Sequence, residues 1–325
     1  FCGTNHAIAM CNGTSALHLA LAAINLQSGD DILVPSFSYI SSANCILYQG
    51  CRPIFVDVDE NTFCIDPSDI NRKITPSTKA IIVVHYAGQC VDMDPIIEIA
   101  KKHHLTIIED AAEAHGSTYN GKTAGSLGDL ACFSFTPNKN MTTGEGGMVT
   151  TNDNSLEKRL RLLRSHSQLK KYYHIEMGYN YRLTDIQAAL GISQLRKLPQ
   201  VIREKEKLAK RYNNKIKIEL SDYIEPPMVA NGRTHTYMLY TIKFISQNQR
   251  DQARRFLDQC GIENSVAFPP IHLQPQFGRK YLRAELPITK RLSKLILSIP
   301  IFHGMSSEKQ DRVLSCIKTA VTTND

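Results

Sequence analysis

Lys139 stands in a short polar loop, Thr136-Pro137-Asn138-Lys139-Asn140, between the apolar run Phe133-Ser134-Phe135 and a glycine-rich turn, Gly144-Glu145-Gly146-Gly147. A lysine held among apolar and small residues has its ammonium form disfavoured, and the free amine can form a Schiff base. Taken alone, a loop lysine is ordinarily a solvated cation. Upstream, Thr106-Ile107-Ile108-Glu109-Asp110 closes an apolar run on two acids, with Glu113 and His115 just beyond. A carboxylate this deep needs a cationic partner or hydrogen bonds. Asp110, Glu113 and His115 could hold a metal ion; equally, Asp110 could be a helix N-cap with Glu113 as its capping-box partner. The third stretch, Asn12-Gly13-Thr14-Ser15, opens the apolar segment 16–23. Such a turn leaves unpaired backbone N–H groups at the positive end of a helix, a ready phosphate site, although on its own it reads as an ordinary N-cap.

The elements that must position these residues follow one pattern through the first half of the chain. Short apolar runs at 32–35, 54–58, 80–85, 105–109 and 130–135 alternate with helix-like stretches such as 68–74 and 94–103. β-Branched runs alternating with helices predict βαβ units around a buried, mostly parallel sheet. In such sheets ligands gather beyond the carboxyl ends of the strands, where all three stretches fall. From Thr184 the pattern changes to a long helix reaching about Asn213, interrupted only by Gly191 and Pro199. Its charge run, 203–211, reads as a solvated face. A strand at 237–244 and helices at 249–259 and 307–320 then predict a smaller α+β domain. The expected division is a large domain over 1–212 and a small one over 213–325.

At 325 residues the chain can bury a large core without disulfide or metal staples. Nine scattered cysteines with no C-x-x-C pair argue against a zinc ribbon or a disulfide framework and fit a reducing cytosol. The net charge of +7 suits an anionic substrate as well as it suits nucleic acid. No stretch reads as membrane-spanning, no repeat of 20–50 residues recurs, and the glycine fingerprints of dinucleotide-binding and P-loop proteins are missing. The first residue is Phe, so an N-terminal piece is expected to be missing.

An amine, a strand-end acid and a phosphate cradle on one α/β scaffold are what pyridoxal phosphate requires: a partner for its aldehyde, a carboxylate to keep its ring nitrogen protonated, and an anion site. No metal enters this reading. The sequence also resembles the DegT/StrS family of nucleotide-sugar aminotransferases, of the aspartate-aminotransferase-like fold type I. The matching blocks are Asn12-Gly13-Thr14-Ser15, Pro35-Ser36-Phe37-Ser38-Tyr39, Phe55-Val56-Asp57-Val58-Asp59, His85-Tyr86-Ala87-Gly88-Gln89, Glu109-Asp110-Ala111-Ala112-Glu113-Ala114-His115-Gly116, the Lys139 loop, Gly178-Tyr179-Asn180-Tyr181-Arg182 and Pro270-Ile271-His272-Leu273-Gln274. Each is weak alone; together and in order they cover nearly the whole chain.

The resemblance implies that Lys139 forms the internal aldimine and later shuttles the proton, and that Asp110 pairs with the pyridinium nitrogen. It implies that Gly13, Thr14 and Ser134 hold the phosphate. Tyr39 falls where the family places an aromatic ring over the cofactor face, with core packing as the plainer reading. Glu113 falls near the ring's 3-oxygen, where two anions would repel and a shared proton is expected. Asn180 resembles the residue that reaches across a homodimer interface to the neighbour's cofactor phosphate; a simple turn Asn is the competing reading. His272 and Glu145 could touch substrate or serve packing and turn roles. The family's Arg-x-His-Gly pattern departs here to Arg164-Ser165-His166-Ser167.

A dehydratase branch of the family carries His where Lys139 stands, so lysine implies transamination. The implied reaction is a ping-pong cycle in which an amino acid, L-glutamate by resemblance, yields pyridoxamine phosphate, which then aminates a keto group on a nucleotide-linked deoxysugar. The implied setting is cytoplasmic amino-sugar or polysaccharide biosynthesis by a homodimer with shared active sites, without nucleic-acid or membrane partners. The alternatives are amination of a free keto-cyclitol, or a non-catalytic regulator that binds pyridoxal phosphate.

Overall fold

The computed structural model describes residues 1–282 and 284–322. Its central sheet has seven strands: β1 (His6–Met10), β2 (Asp31–Pro35), β3 (Arg52–Val56), β4 (Thr78–Val84), β5 (Thr106–Asp110), β8 (Leu130–Ser134) and β9 (Gly147–Thr151). A small hairpin, β6 (Thr118–Tyr119) and β7 (Lys122–Thr123), intervenes between β5 and β8. The spatial order is β3-β2-β4-β5-β8-β9-β1. The first five are parallel and β9 runs antiparallel to both its neighbours. The expected mostly parallel α/β architecture is therefore present.

Alternation along the strands divides the core in two. Leu33, Ile81, Val83, Ile107 and Phe133 pack on one face; Ile32, Val34, Ile82, Ile108 and Cys132 pack on the other. Helix α1 (Gly13–Ala23) is apolar around most of its circumference because it is enclosed, lying against β8, β9, α2 (Ser41–Tyr48) and α5 (Asn154–Arg164). Leu17, Leu19 and Leu21 are almost wholly buried, each contributing roughly 1.5–3 kcal/mol. Helices α3 (Pro67–Lys73) and α4 (Met93–His103) complete the βαβ units, α4 ending at a left-handed His104.

Helix α6 (Asp185–Glu219) begins at a Thr184–Gln187 capping box and runs 35 residues, straight through Pro199. The expected boundary after residue 212 therefore falls inside one helix. Beyond it, β12 (Ile224–Glu225), β13 (Tyr240–Phe244) and β14 (Ile296–Ile299) form an antiparallel sheet. The expected strand at 237 begins later because Tyr237 adopts φ +48°. Helices α7 (Gln247–Gln259), α8 (Gly278–Leu282), α9 (Pro287–Leu295) and α10 (Ser307–Thr322) complete the chain. Tyr212, Ile216, Ile242, Phe244, Leu257 and Ile317 share a third core. Buried Asp57, from the loop after β3, accepts the Ile288 and Thr289 N–H groups at 2.9 and 2.7 Å and so caps α9.

The departure at Ser167 has a local cost. His166 and Ser167 both adopt positive φ, +61° and +47°, at roughly 1–2 kcal/mol each. Gly178 packs so closely that a Cβ there would lie 2.2 Å from the Ser167 nitrogen. The turn therefore keeps its shape without the usual glycine, and leads into an exposed hairpin, β10 (Gln168–Lys170) and β11 (Tyr173–His174).

Candidate active site

A cleft of about 840 Å³ opens where β4, β5 and β8 end at Val84, Asp110 and Ser134, facing the start of α1. Lys139, Glu113, Gly13, Thr14, Tyr39 and Glu145 also line it. Eight of the ten residues singled out in the sequence thus share one cavity.

Asp110 is buried at the end of β5. Its Oδ2 accepts the Ser42 hydroxyl at 2.7 Å and its Oδ1 accepts the Ala112 N–H at 3.2 Å. Burial raises its pKa above the usual carboxylate range, against which these bonds and the Lys139 charge pull. A cationic ring N–H placed beside it would restore the anion. Glu113 receives the Ala87 N–H on Oε2 at 2.8 Å and lies 3.6 Å from the Lys139 ammonium through Oε1. Lys139 is mostly buried, its side chain 11% exposed, in a loop closed by Lys139 N–H to Thr136 O and Thr143 N–H to Phe135 O.

The capping-box reading of Asp110 and Glu113 is overturned: 111–117 is a series of turns with no helix. The two carboxylates are drawn instead to Ser42 and to Ala87. The metal reading finds no support in the geometry either. His115 turns between Phe133 and Phe135, at ring distances of 5.4 and 5.8 Å, and both its nitrogens are buried. Burial first, and the Lys139 charge second, push it down to about 3, so it is neutral. No cluster of three metal-ligating side chains occurs among the described residues.

At the start of α1, the Asn12 side chain takes the Ser15 N–H at 2.7 Å, leaving the first-turn N–H groups of Gly13 and Thr14 to face the cleft. Gly13 lies against Ser134, where a Cβ would come within 2.8 Å of the Ser134 Cβ. Gly147 lets β9 abut the same turn: a Cβ there would lie 2.5 Å from the Asn12 carbonyl oxygen. The Thr14 hydroxyl is 2.8 Å from that of Ser41. Backbone and hydroxyl groups are thus packed tightly together at this end of the cleft, a composition that suits an anion.

Two residues lie elsewhere. His272 is fully buried outside the cleft, its Nδ1 2.6 Å from the Ser36 hydroxyl, and burial pushes it down to about 4. That is a packing role, and substrate contact is not available to it in this structure. Asn180 is exposed, outside the cleft, bridging to Ser165. Tyr39 is 60% exposed, its ring edge-on to Phe268 at 5.9 Å, so the core-packing reading does not describe it. Glu145 accepts the Thr136 hydroxyl at the cleft mouth.

Sequence reasoning missed Ser42, which holds Asp110, and His18, whose Nδ1 lies 3.0 Å from the Tyr181 hydroxyl in the cleft wall. It also misread Lys205. The 203–211 charge run is not uniformly solvated: Leu198, Ile202, Lys205, Ala209, Tyr212 and Ile216 form one inward stripe at helical spacing. That spacing was the signal available to find it.

Compared with known proteins, the chain matches the DegT/DnrJ/EryC1/StrS aminotransferase family over residues 1–318. The chain belongs to that family. It is 43% identical over 321 residues to a GDP-perosamine synthase of Caulobacter vibrioides, covering 98% of this chain and 86% of that protein. It is 38% identical over 319 residues to a dTDP-3-amino-3,6-dideoxy-alpha-D-galactopyranose transaminase of Aneurinibacillus thermoaerophilus, covering 98% and 86%. Its fold is similar to that of S. venezuelae DesV, solved in complex with a ketimine intermediate, with a TM-score of 0.92 at 34% identity over 100% of this chain and 87% of that one. As a member of the DegT/DnrJ/EryC1/StrS family it is an aminotransferase. The residues present fit pyridoxal phosphate: a glycine–serine cradle that a Cβ would fill, a strand-end carboxylate destabilised until a cation arrives, and a lysine amine in the same cavity.

Proposed function

We propose that this chain is a pyridoxal-phosphate-dependent aminotransferase that installs an amino group on a keto carbon of a nucleotide-linked deoxysugar, with L-glutamate as donor. The observation that carries it is the convergence of Lys139, Asp110 and the Gly13–Ser134 cradle on one cleft. Pyridoxal phosphate supplies the aldehyde that accepts nitrogen and the ring that withdraws electrons from the substrate carbon. Lys139 would hold the aldehyde end of the cofactor through Nζ, and its amine would move the proton at the substrate carbon. Asp110 would keep the ring nitrogen protonated. Gly13, Thr14 and Ser134 would hold the phosphate, Tyr39 would cover the ring, and Glu113 would share a proton with the ring oxygen. The relatives' names, which include GDP- and dTDP-linked sugars, support a nucleotide-linked acceptor.

The test is amination of one keto-sugar with and without its nucleoside diphosphate, glutamate supplying nitrogen. Turnover of the nucleotide-linked form at least tenfold faster is expected. Equal rates would favour a free keto-cyclitol, and no turnover of either would revive the regulatory reading.

The protein acts as a homodimer. Tyr172, Met177, Ile186 and Ile192 leave an apolar face on the hairpin and the start of α6, with Ile186 85% exposed, and such a face marks an interaction site. Asn180 lies in the same surface segment, which supports its reaching a neighbouring cofactor phosphate. Mixing Asn180→Ala chains with Lys139→Ala chains is expected to restore about a quarter of the wild-type rate, because half the dimers then carry one intact site. No restoration would assign Asn180 to its own turn. No helix among the described residues is long and apolar enough to cross a membrane, and nine free thiols suit a reducing cytoplasm.

A further inference from the structure

Lys205, on the inner stripe of α6, is only 6% exposed. Its ammonium donates to Asn140 Oδ1 at 2.7 Å and approaches the Met238 carbonyl at 3.5 Å. None of the ion pairs among the described residues includes it, and burial pushes it down to about 8, so it is still protonated at neutral pH. A buried charge without a counter-ion is costly, and an apolar side chain at this position would fold more readily. Positions that break a folding rule in this way are expected where function requires it.

What the ammonium holds gives the reason. Asn140 follows Lys139 directly, is itself 6% exposed, and donates through Nδ2 to the Thr236 carbonyl at 3.0 Å. Thr236 is tied in turn to Gly88 by its N–H at 2.8 Å. Met238 and Leu239, just beyond, line the cleft. A chain of bonds thus runs from α6 through the residue after Lys139 to the segment forming another wall of the cavity. Without Lys205, Asn140 Oδ1 would lose its donor, and the amide could rotate away from Thr236.

We propose that Lys205 is a positioning residue: through Asn140 it locks the loop bearing Lys139 to the 236–239 segment, so that the cleft is shaped before the cofactor arrives. This rests on the reading of Lys139 as the residue that binds the cofactor.

A double-mutant cycle with Lys205→Met and Asn140→Ala tests it, read as the Kd of the cofactor-free protein for pyridoxal phosphate and as amide exchange over 136–143 and 236–239. Each single change is expected to raise Kd about tenfold and the pair about tenfold as well, because both break one connection. Exchange of the two segments should accelerate together, in the absence of cofactor, in every variant. Losses that multiply to about a hundredfold, or exchange unchanged at 236–239, would overturn the proposal and leave Lys205 a packing role. Should Lys205→Met not fold, Asn140→Ala alone decides: faster exchange at 236–239 supports the lock and unchanged exchange overturns it. Borohydride reduction of the wild-type holoenzyme separates the two layers. Label on another lysine removes the premise, whereas label on Lys139 with multiplying losses removes only the lock.

Discussion

A Lys139→Ala variant is expected to lose turnover by at least about 10⁴-fold, since in the proposed mechanism one residue both binds the cofactor and moves the proton. The loss should fall on kcat far more than on KM, because the proposed cradle and Asp110 would still hold the cofactor. The variant should fold: among the described residues the side chain pairs with Glu113 at 3.6 Å, and the loop is closed by backbone bonds that alanine retains. The measurement is single-turnover transfer from glutamate, with borohydride labelling of wild type beside it. Residual activity within a hundredfold, or label recovered on a lysine other than Lys139, would move the chemistry elsewhere.

An Asp110→Asn variant is expected to separate stability from activity. Burial raises this carboxyl's pKa in the folded, cofactor-free protein. The sign follows from linkage: the folded state then binds the proton more tightly than the unfolded chain. Ionisation of Asp110 therefore costs stability as pH rises from the unfolded value through the folded one. Asparagine cannot ionise, so the cofactor-free variant should melt higher than wild type near neutral pH, and the difference should vanish in acid. Activity should move the other way. If Asp110 serves the ring nitrogen as proposed, that nitrogen would lose its proton in the variant, and kcat should fall roughly 10²–10³-fold, the usual loss when one oriented electrostatic partner is removed. A variant that melts lower and keeps kcat within tenfold would make Asp110 an ordinary structural acid.

The position of Asp110 was legible in the sequence for a physical reason, whereas Lys139 stood out only in the company of the other motifs. Polar side chains that close buried parallel strands have few places to go except the cavity at the sheet's carboxyl edge, and Asp110 and Ser134 are such closers. Gly13 and Thr14 read on their own as part of an ordinary helix start, which the Asn12–Ser15 capping box bears out, and only the family resemblance marked them as a phosphate site. The rest depended on partners far away in sequence. His272 stayed open between substrate contact and packing, because the partner that decides it, Ser36, lies 236 positions earlier. Lys205 was lost in a run of like residues, where composition says surface and only the helical phase says interior. Glu113 departed from its capping box because the Ala87 N–H competes for its carboxylate, and no spacing within 109–116 records that competitor.

The 35-residue span of α6 amounts to a rod about 50 Å long. Its first turns carry exposed Ile186, its middle presents Lys205 to the catalytic loop, and its end plants Tyr212 and Ile216 in the third core. Each residue in such a rod advances the azimuth by about 100°. Losing or gaining a single codon between positions 190 and 200 would swing every downstream side chain off its target at once. A one-residue change in a surface turn is absorbed locally; in this shaft it is carried to every contact beyond it.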